Sequence, residues 1–226
     1  MAEVAILIPA LNCGATIGPV VTAARRHVPD VLVVSDGSTD GTVAAATEAG
    51  ARVVQHDHPR GKGAALLTGM RQLLDEGVSR VVTMDGDGQH LGDEIPTLLR
   101  ASAVAPDALI IGTRQFETLT TTPAKLFGNR FANRWVEIAC GQALPDTQSG
   151  FRVYPLPATL ALGLRAQHFA FETEVLIRAA REGMAIHAAP VRVYYPPVED
   201  RVSHFRPFLD TVRIICVVLG LIFRIW

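Results

Sequence analysis

Between Val4 and Ile111 the chain repeats one pattern: a short apolar run, a polar or glycine-bearing turn, then a stretch with helical spacing. The apolar runs are Val4–Ile8, Val31–Val34, Arg52–Gln55, Arg80–Met84 and Ala108–Ile111. The helical stretches between them are Thr16–His27, Thr42–Ala49, Gly63–Glu76 and Asp93–Ala103. Short turns between alternating strands and helices favour a mostly parallel sheet covered by helices on both faces. The expectation is therefore an α/β, Rossmann-like fold. Asp40 reads as the N-cap of the second helix and Gly50 as the residue just past its end.

Beyond Thr113 the texture changes. Thr118–Pro123 is a polar loop, Ala124–Cys140 a helix carrying Asn129, Arg130, Asn133 and Arg134, and Pro145–Tyr154 a turn-rich stretch. Glu172–Glu182 is helical, Ile186–Tyr195 is a strand with Pro190 at an edge or bend, and Pro196–Arg206 is a charged loop. One domain is expected through residue 207, followed by an apolar helix over 208–226. Within that helix Ile214–Phe223 carries no charge and is flanked by Arg213 and Arg224. Roughly 20 apolar residues are needed to cross a bilayer, so it is too short to span. Two readings stay open for it: a core helix, or a helix in a membrane interface with its arginines at headgroup level and Trp226 as anchor.

Composition narrows the function. Of 226 residues 49% are hydrophobic and the net charge is -1, enough apolar material for a large core and none of the basic excess of a nucleic-acid binder. Cys13, Cys140 and Cys216 are scattered, with no CxxC pair, and read as reduced thiols of a cytosolic protein. The N-terminus lacks a basic region ahead of its apolar run and meets Pro9 early, so it reads as a first strand and not a signal peptide.

The chemistry gathers where strands end, since open parallel sheets bind ligands at the carboxyl ends of their strands. Asp85-Gly86-Asp87 follows the fourth run, and residues i and i+2 share a face, so two carboxylates meet at one point. Such a pair suits a hard divalent cation that itself grips a diphosphate, with Gln89 and His90 in reach. Asp36-Gly37-Ser38 alone is a plain turn, yet it ends the second run and faces the same crevice. Gly61-Lys62-Gly63 lacks P-loop spacing but opens a helix, which places Lys62 and free N–H groups near an anionic or nucleotide ligand.

Pro9-Ala-Leu-Asn12, Asp36-Gly-Ser-Thr-Asp-Gly-Thr42, Gly61-Lys-Gly-Ala-Ala65 and Asp85-Gly-Asp-Gly-Gln-His90 together resemble family 2 glycosyltransferases of the GT-A fold. Gly112-Thr-Arg114, Gly128-Asn-Arg130, Asp146-Thr-Gln-Ser-Gly-Phe-Arg152, Phe171-Glu-Thr-Glu174 and Arg201–Pro207 resemble the dolichol-phosphate mannosyltransferase and polyprenyl-phosphate glycosyltransferase branch. The motifs run in order over nearly the whole chain.

The resemblance implies an inverting transfer from a nucleotide-diphospho-sugar, a UDP- or GDP-sugar, to a polyprenyl phosphate. It places Pro9, Asn12, Asp36, Lys62, Asp85 and Arg201 at the donor. Asp85, Asp87 and Gln89 would hold Mg²⁺ or Mn²⁺, and Gln148, Ser149 and Glu172 would lie on the sugar and acceptor side. The loop bearing Arg201, His204 and Arg206 would close over the diphosphate. The sequence departs from the family's pattern at Ser35, usually acidic, at Pro59-Arg60, where asparagine is common before the glycine, and at Gly86, often alanine and expected to matter little.

A phosphomonoester acceptor is mostly ionised at neutral pH and hardly needs a base, but it does need cations. Arg114, Arg130 and Arg134 are the candidates, because guanidinium forks match phosphate oxygens. Asp146 is the nearest candidate base, and a hydroxyl acceptor on another lipid or glycan would need one. A nucleotidyltransferase is disfavoured, since Pro9–Gly14 supplies no glycine-rich phosphate loop. The expected partners are the donor, the lipid-linked phosphate, the cytoplasmic membrane face through the C-terminal helix, and a homo-oligomeric or membrane-protein partner. No nucleic acid is expected.

Overall fold

Seven strands form one sheet in the computed structural model, which describes residues 3–114, 135–144, 146–194 and 207–223. The strands are β1 (Val4–Ala10), β2 (Val31–Ser35), β3 (Arg52–Gln55), β4 (Arg80–Thr83), β5 (Leu109–Arg114), β6 (Arg152–Pro155) and β7 (Ile186–Val191). Their order across the sheet is β3-β2-β1-β4-β6-β5-β7. All neighbours are parallel except β6, which runs antiparallel to β4 and β5.

The helices are α1 (Gly14–Arg25), α2 (Thr42–Glu48), α3 (Lys62–Asp75), α4 (Ile95–Val104), α5 (residues 135–140), α6 (Leu156–Ala161), α7 (Ala170–Arg181) and α8 (Pro207–Ile222). They cover both faces, as the apolar runs required, because successive strand residues point to opposite sides. On β1, Leu7 enters a core with Leu66 and Met70 of α3. Ile6 and Ile8 enter the opposite core with Ile17 and Val21 of α1.

The strand–helix units foreseen in the sequence are present, with shifted ends. β1 runs on to Ala10 because Ala10 pairs with Ser35, and β5 runs on to Arg114 because Arg114 pairs with Val191. Asp40 is not itself the N-cap of α2. Gly41 holds that position, and the Asp40 carboxylate accepts the N–H groups of Thr42 and Gly14. Gly50 does sit past the helix end with φ +90°, a conformation costly for side-chain-bearing residues.

β6 lies in the stretch expected to be turns. All four of its residues are buried, so it shows no alternation, and an arginine opens it where an apolar residue would mark a strand. Pro190 falls in β7, at the sheet edge, where its missing N–H costs no ladder bond.

α8 packs on α7 and buries Ile214, Val217, Val218 and Leu221 in the same core as Phe171 and Val175. Its other face leaves Val212, Ile215, Leu219 and Phe223 exposed. No helix among the described residues is long and apolar enough to cross a membrane. Cys13, Cys140 and Cys216 are all free thiols.

Candidate active site

The carboxyl ends of β1, β2 and β4 open on a cavity of about 270 Å³. Pro9, Cys13, Asp36, Lys62, Asp85 and Asp87 lie on its wall. The loops after β1 and β2 are stitched to each other. Asn12, at φ +45°, accepts the Thr39 N–H on Oδ1 at 2.9 Å, and its own N–H donates to Ser38 Oγ. The Cys13 N–H donates to Thr42 Oγ1. Asn12, expected at the donor, braces two loops through its side-chain oxygen.

Asp36 lines the cavity, but its oxygens serve the chain. Oδ1 accepts the Arg60 N–H at 2.8 Å and Oδ2 the Gly61 N–H at 2.7 Å. Oδ1 also meets His56 Nδ1 at 2.8 Å, while His56 Nε2 reaches Thr68 Oγ1 at 3.0 Å. This buried cluster fixes the turn that starts α3. Gly61 has φ +102°, and a Cβ there would collide with His168. The turn therefore delivers Lys62 to one spot.

At that spot Lys62 Nζ lies 2.6 Å from Asp85 Oδ1 and 2.7 Å from Glu172 Oε1. Burial alone would lower the ammonium pKa, but the two carboxylates outweigh it and hold it above its ordinary value. For Asp85, burial opposes ionisation, yet Lys62 and then His90 pull its pKa well below the carboxylate range. The cluster sits against Gly150, where a Cβ would come within 2.9 Å of Lys62 Nζ and 2.8 Å of Glu172 Oε1. Glu172, expected on the sugar side, is thus spent on Lys62.

Asp87 is different. Among the described residues it makes no ion pair, and it accepts the Gln89 N–H at 3.0 Å and the Gln89 side-chain amide at 2.8 Å. Burial and the neighbouring Asp85 charge push its pKa up to about 6. Gln89, expected as a metal oxygen, turns its amide N–H to Asp87 and braces it. His90 accepts the Asp85 N–H on Nδ1 at 2.9 Å and stacks on Phe151, and burial lowers its pKa to about 4. Its ring is thus neutral, with the proton on Nε2. Gly86 was expected to matter little, but a Cβ there would meet Cys13 Sγ at 3.0 Å, so alanine would have to displace that thiol.

Two carboxylates at a strand end, one paired with Lys62 and one with no ion pair among the described residues, fit a divalent cation. Asp87 has the unmet negative charge and Asp85 stands beside it. No group of three or more His, Cys, Asp or Glu able to hold a metal occurs among the described residues, and a cation gripped by two carboxylates and a ligand's phosphate oxygens suits the pair. Mg²⁺ is usually bound in that way, through one or two carboxylates plus phosphates.

Asp146, the candidate base, has both oxygens engaged. Arg114 Nε reaches Oδ2 at 2.7 Å, Nη2 reaches Oδ1 at 2.6 Å, and the Arg114 N–H adds a bond at 3.0 Å. Both carboxylate oxygens face the guanidinium fork, so Asp146 serves to aim Arg114. Gln148 donates to Thr147 Oγ1, and Ser149 is buried with its Oγ accepting from the Phe151 N–H. Neither borders the cavity. Arg130, Arg134, Arg201, His204 and Arg206 lie outside the described residues.

Several residues of the site went unforeseen. Arg152 is fully buried and gives its N–H groups to the carbonyls of Thr147, Ser149 and Glu172. It ties the turn bearing Asp146 to the start of α7. An arginine between Phe151 and Val153 was the available signal. His56 directly follows β3, and the strand-end rule would have found it. His168, Phe169, Asp210 and Arg213 also line the cavity. Arg213, at headgroup level in one of the two readings of the last helix, borders the cavity, and its Nη1 donates to the buried Asp210 at 2.9 Å.

Residues 5–156 match the family model described as Glycosyl transferase family 2. Glycosyltransferase AglJ of Haloferax volcanii is 31% identical over 92% of this chain and 68% of its own length. The undecaprenyl-phosphate mannosyltransferase of Micrococcus luteus is 31% identical over 74% of this chain and 73% of its own. Among solved structures, glucosyl-3-phosphoglycerate synthase of Mycobacterium tuberculosis, in complex with Mn²⁺, UDP and phosphoglyceric acid, superposes with a TM-score of 0.74. It is 22% identical and covers 97% of this chain and 78% of its own.

Proposed function

The chain belongs to glycosyltransferase family 2, and from that premise we propose that it moves a sugar from a nucleotide-diphospho-sugar onto a polyprenyl phosphate. The observation that carries this reading is the unequal pair at the end of β4. Asp85 is neutralised by Lys62, and Asp87 is left with an unmet charge at the cavity. Such a wall suits a cation-bound diphosphate.

In the inverting reaction an acceptor phosphate oxygen attacks the anomeric carbon. The bond from that carbon to the diphosphate breaks, and its electron pair leaves with the nucleoside diphosphate. A Mg²⁺ or Mn²⁺ held by Asp87, with Asp85 beside it, would supply Lewis-acid neutralisation of that leaving group. Lys62 and the Asp36-anchored turn shape the donor side, while Asp146 aims Arg114. The saturation of Asp146 favours a phosphate acceptor over a hydroxyl, which would need a base that this carboxylate is poorly placed to be.

The lipid character of the acceptor has a counterpart on α8. Val212, Ile215, Leu219 and Phe223 form an exposed apolar stripe, and Trp135 and Ile138 of α5 add to the exposed apolar surface. Helices that lie in a membrane interface bury such stripes at the headgroup boundary. The protein then works peripherally on the cytoplasmic face. The test is incubation with radiolabelled UDP- and GDP-sugars and undecaprenyl phosphate, with Mn²⁺ or with EDTA. The expected result is label in the organic phase that EDTA abolishes. No label with any common donor would sink the reading.

A further inference from the structure

α8 contributes to the cavity as well as to the core. Asp210 is 2% exposed, Arg213 Nη1 donates to its Oδ1 at 2.9 Å, and both residues stand on the cavity wall that also holds Lys62, Asp85 and Asp87. Among the described residues the wall carries four carboxylates, Asp36, Asp85, Asp87 and Asp210, against two cations, Lys62 and Arg213. Lys62 is already committed to Asp85 and Glu172. Arg213 is 44% exposed at its side chain, and its bond to Asp210 uses one of the five N–H donors of a guanidinium.

We infer that Arg213 binds a substrate phosphate in this cavity, with Asp210 holding the guanidinium in place. The inference rests on the glycosyltransferase reading, in which both substrates bring phosphate to the site. Either the donor diphosphate or the acceptor phosphomonoester supplies the same chemistry. The neighbours of Arg213 along the helix, Val212 and Ile215, belong to the exposed apolar stripe. One helix therefore holds a phosphate ligand within a turn of the surface proposed to meet lipid.

The experiment compares the parent protein with Arg213→Ala, Arg213→Lys and Asp210→Asn. UDP and GDP binding is measured calorimetrically with Mn²⁺, and transfer is measured against undecaprenyl phosphate in detergent. Losing one charge-assisted contact should weaken its ligand about 10- to 100-fold. A weaker nucleotide Kd in Arg213→Ala assigns the contact to the donor. An unchanged nucleotide Kd with a raised acceptor KM assigns it to the acceptor. Arg213→Lys should recover part of the loss, and Asp210→Asn should show a smaller defect of the same kind. Arg213→Ala takes a cation from the buried Asp210 and should melt below the parent. Arg213→Ala combined with Asp210→Asn, which leaves no bare carboxylate, is therefore measured beside it and should show the same ligand defect. That control separates ligand binding from a structural role. Kd and acceptor KM both within about two-fold of the parent would overturn the inference while leaving the function standing. A parent protein that binds neither nucleotide and transfers no sugar would overturn both.

Discussion

Lys62 Nζ lies 2.6 Å from Asp85 Oδ1, while Asp87, two residues on, makes no ion pair among the described residues. The two carboxylates of one short motif therefore do different work. Asp85 belongs to a buried ionic cluster, and Asp87 carries the charge that a ligand must satisfy.

Asp87→Ala should abolish metal-dependent transfer without unfolding the protein. The charge also has a pH signature in EDTA-treated protein. The folded pKa of Asp87 is raised to about 6, so the native state is penalised as pH climbs from about 4 to 6 and stays penalised above. Asp87→Asn removes that penalty. Its Tm in EDTA should exceed the parent's at pH 8 by about 6–12 °C, and the gain should vanish near pH 4. A constant offset across that range, read by calorimetry, would contradict the assignment.

Lys62→Met should be strongly destabilising, because it leaves Asp85 and Glu172 facing each other without their shared cation. Breaking a buried pair by removing one partner costs about 3–5 kcal/mol. Adding Glu172→Gln to Lys62→Met should recover part of that loss. Urea denaturation of the single and double variants measures it, and strictly additive losses would refute the cluster.

Asp146→Asn keeps the volume and removes the charge that aims Arg114. Transfer should fall about 10-fold with the shape of the pH–rate profile unchanged, since the residue is a positioning group and not a base. Loss of the acidic limb from kcat/KM would restore Asp146 as the general base.

Leu219→Glu and Ile215→Glu place charge on the exposed stripe of α8, where both side chains are more than two-fifths open to solvent. Each should reduce co-sedimentation with vesicles containing anionic lipid and leave the Tm near the parent's. Transfer to a short, water-soluble polyprenyl phosphate should persist. Unchanged vesicle binding in the double variant would remove α8 from the membrane contact.

Much of the donor side could be read in the chain because the residues that build it are punctuation. Asp36, Gly61, Lys62 and the Asp85–Asp87 pair all stand where an apolar run stops, and the parallel sheet brings such stops to one edge. What could not be read is how each charge is spent. Asp36 and Asp146 looked like free carboxylates because their partners, the N–H groups of Arg60 and Gly61 and the fork of Arg114, are supplied by the fold. β6 escaped because periodicity needs a solvent side, and Arg152–Pro155 has none. Arg213 stood at headgroup level in one of the two readings of the last helix, because it borders an apolar run. Only the packing of α8 on α7 turns it to the cavity.

The antiparallel strand β6 has a consequence for how the chain must be made. Until residues 152–155 arrive, the open side of β4 has no strand to bond, and β5 has no link to the half of the sheet formed by β1 to β4. The nascent protein therefore carries an unsealed apolar edge for some seventy residues of synthesis, a state prone to pairing with other chains. A fragment that stops at Arg114 would keep every donor-side carboxylate and still lack the keystone that joins the two halves of its own sheet.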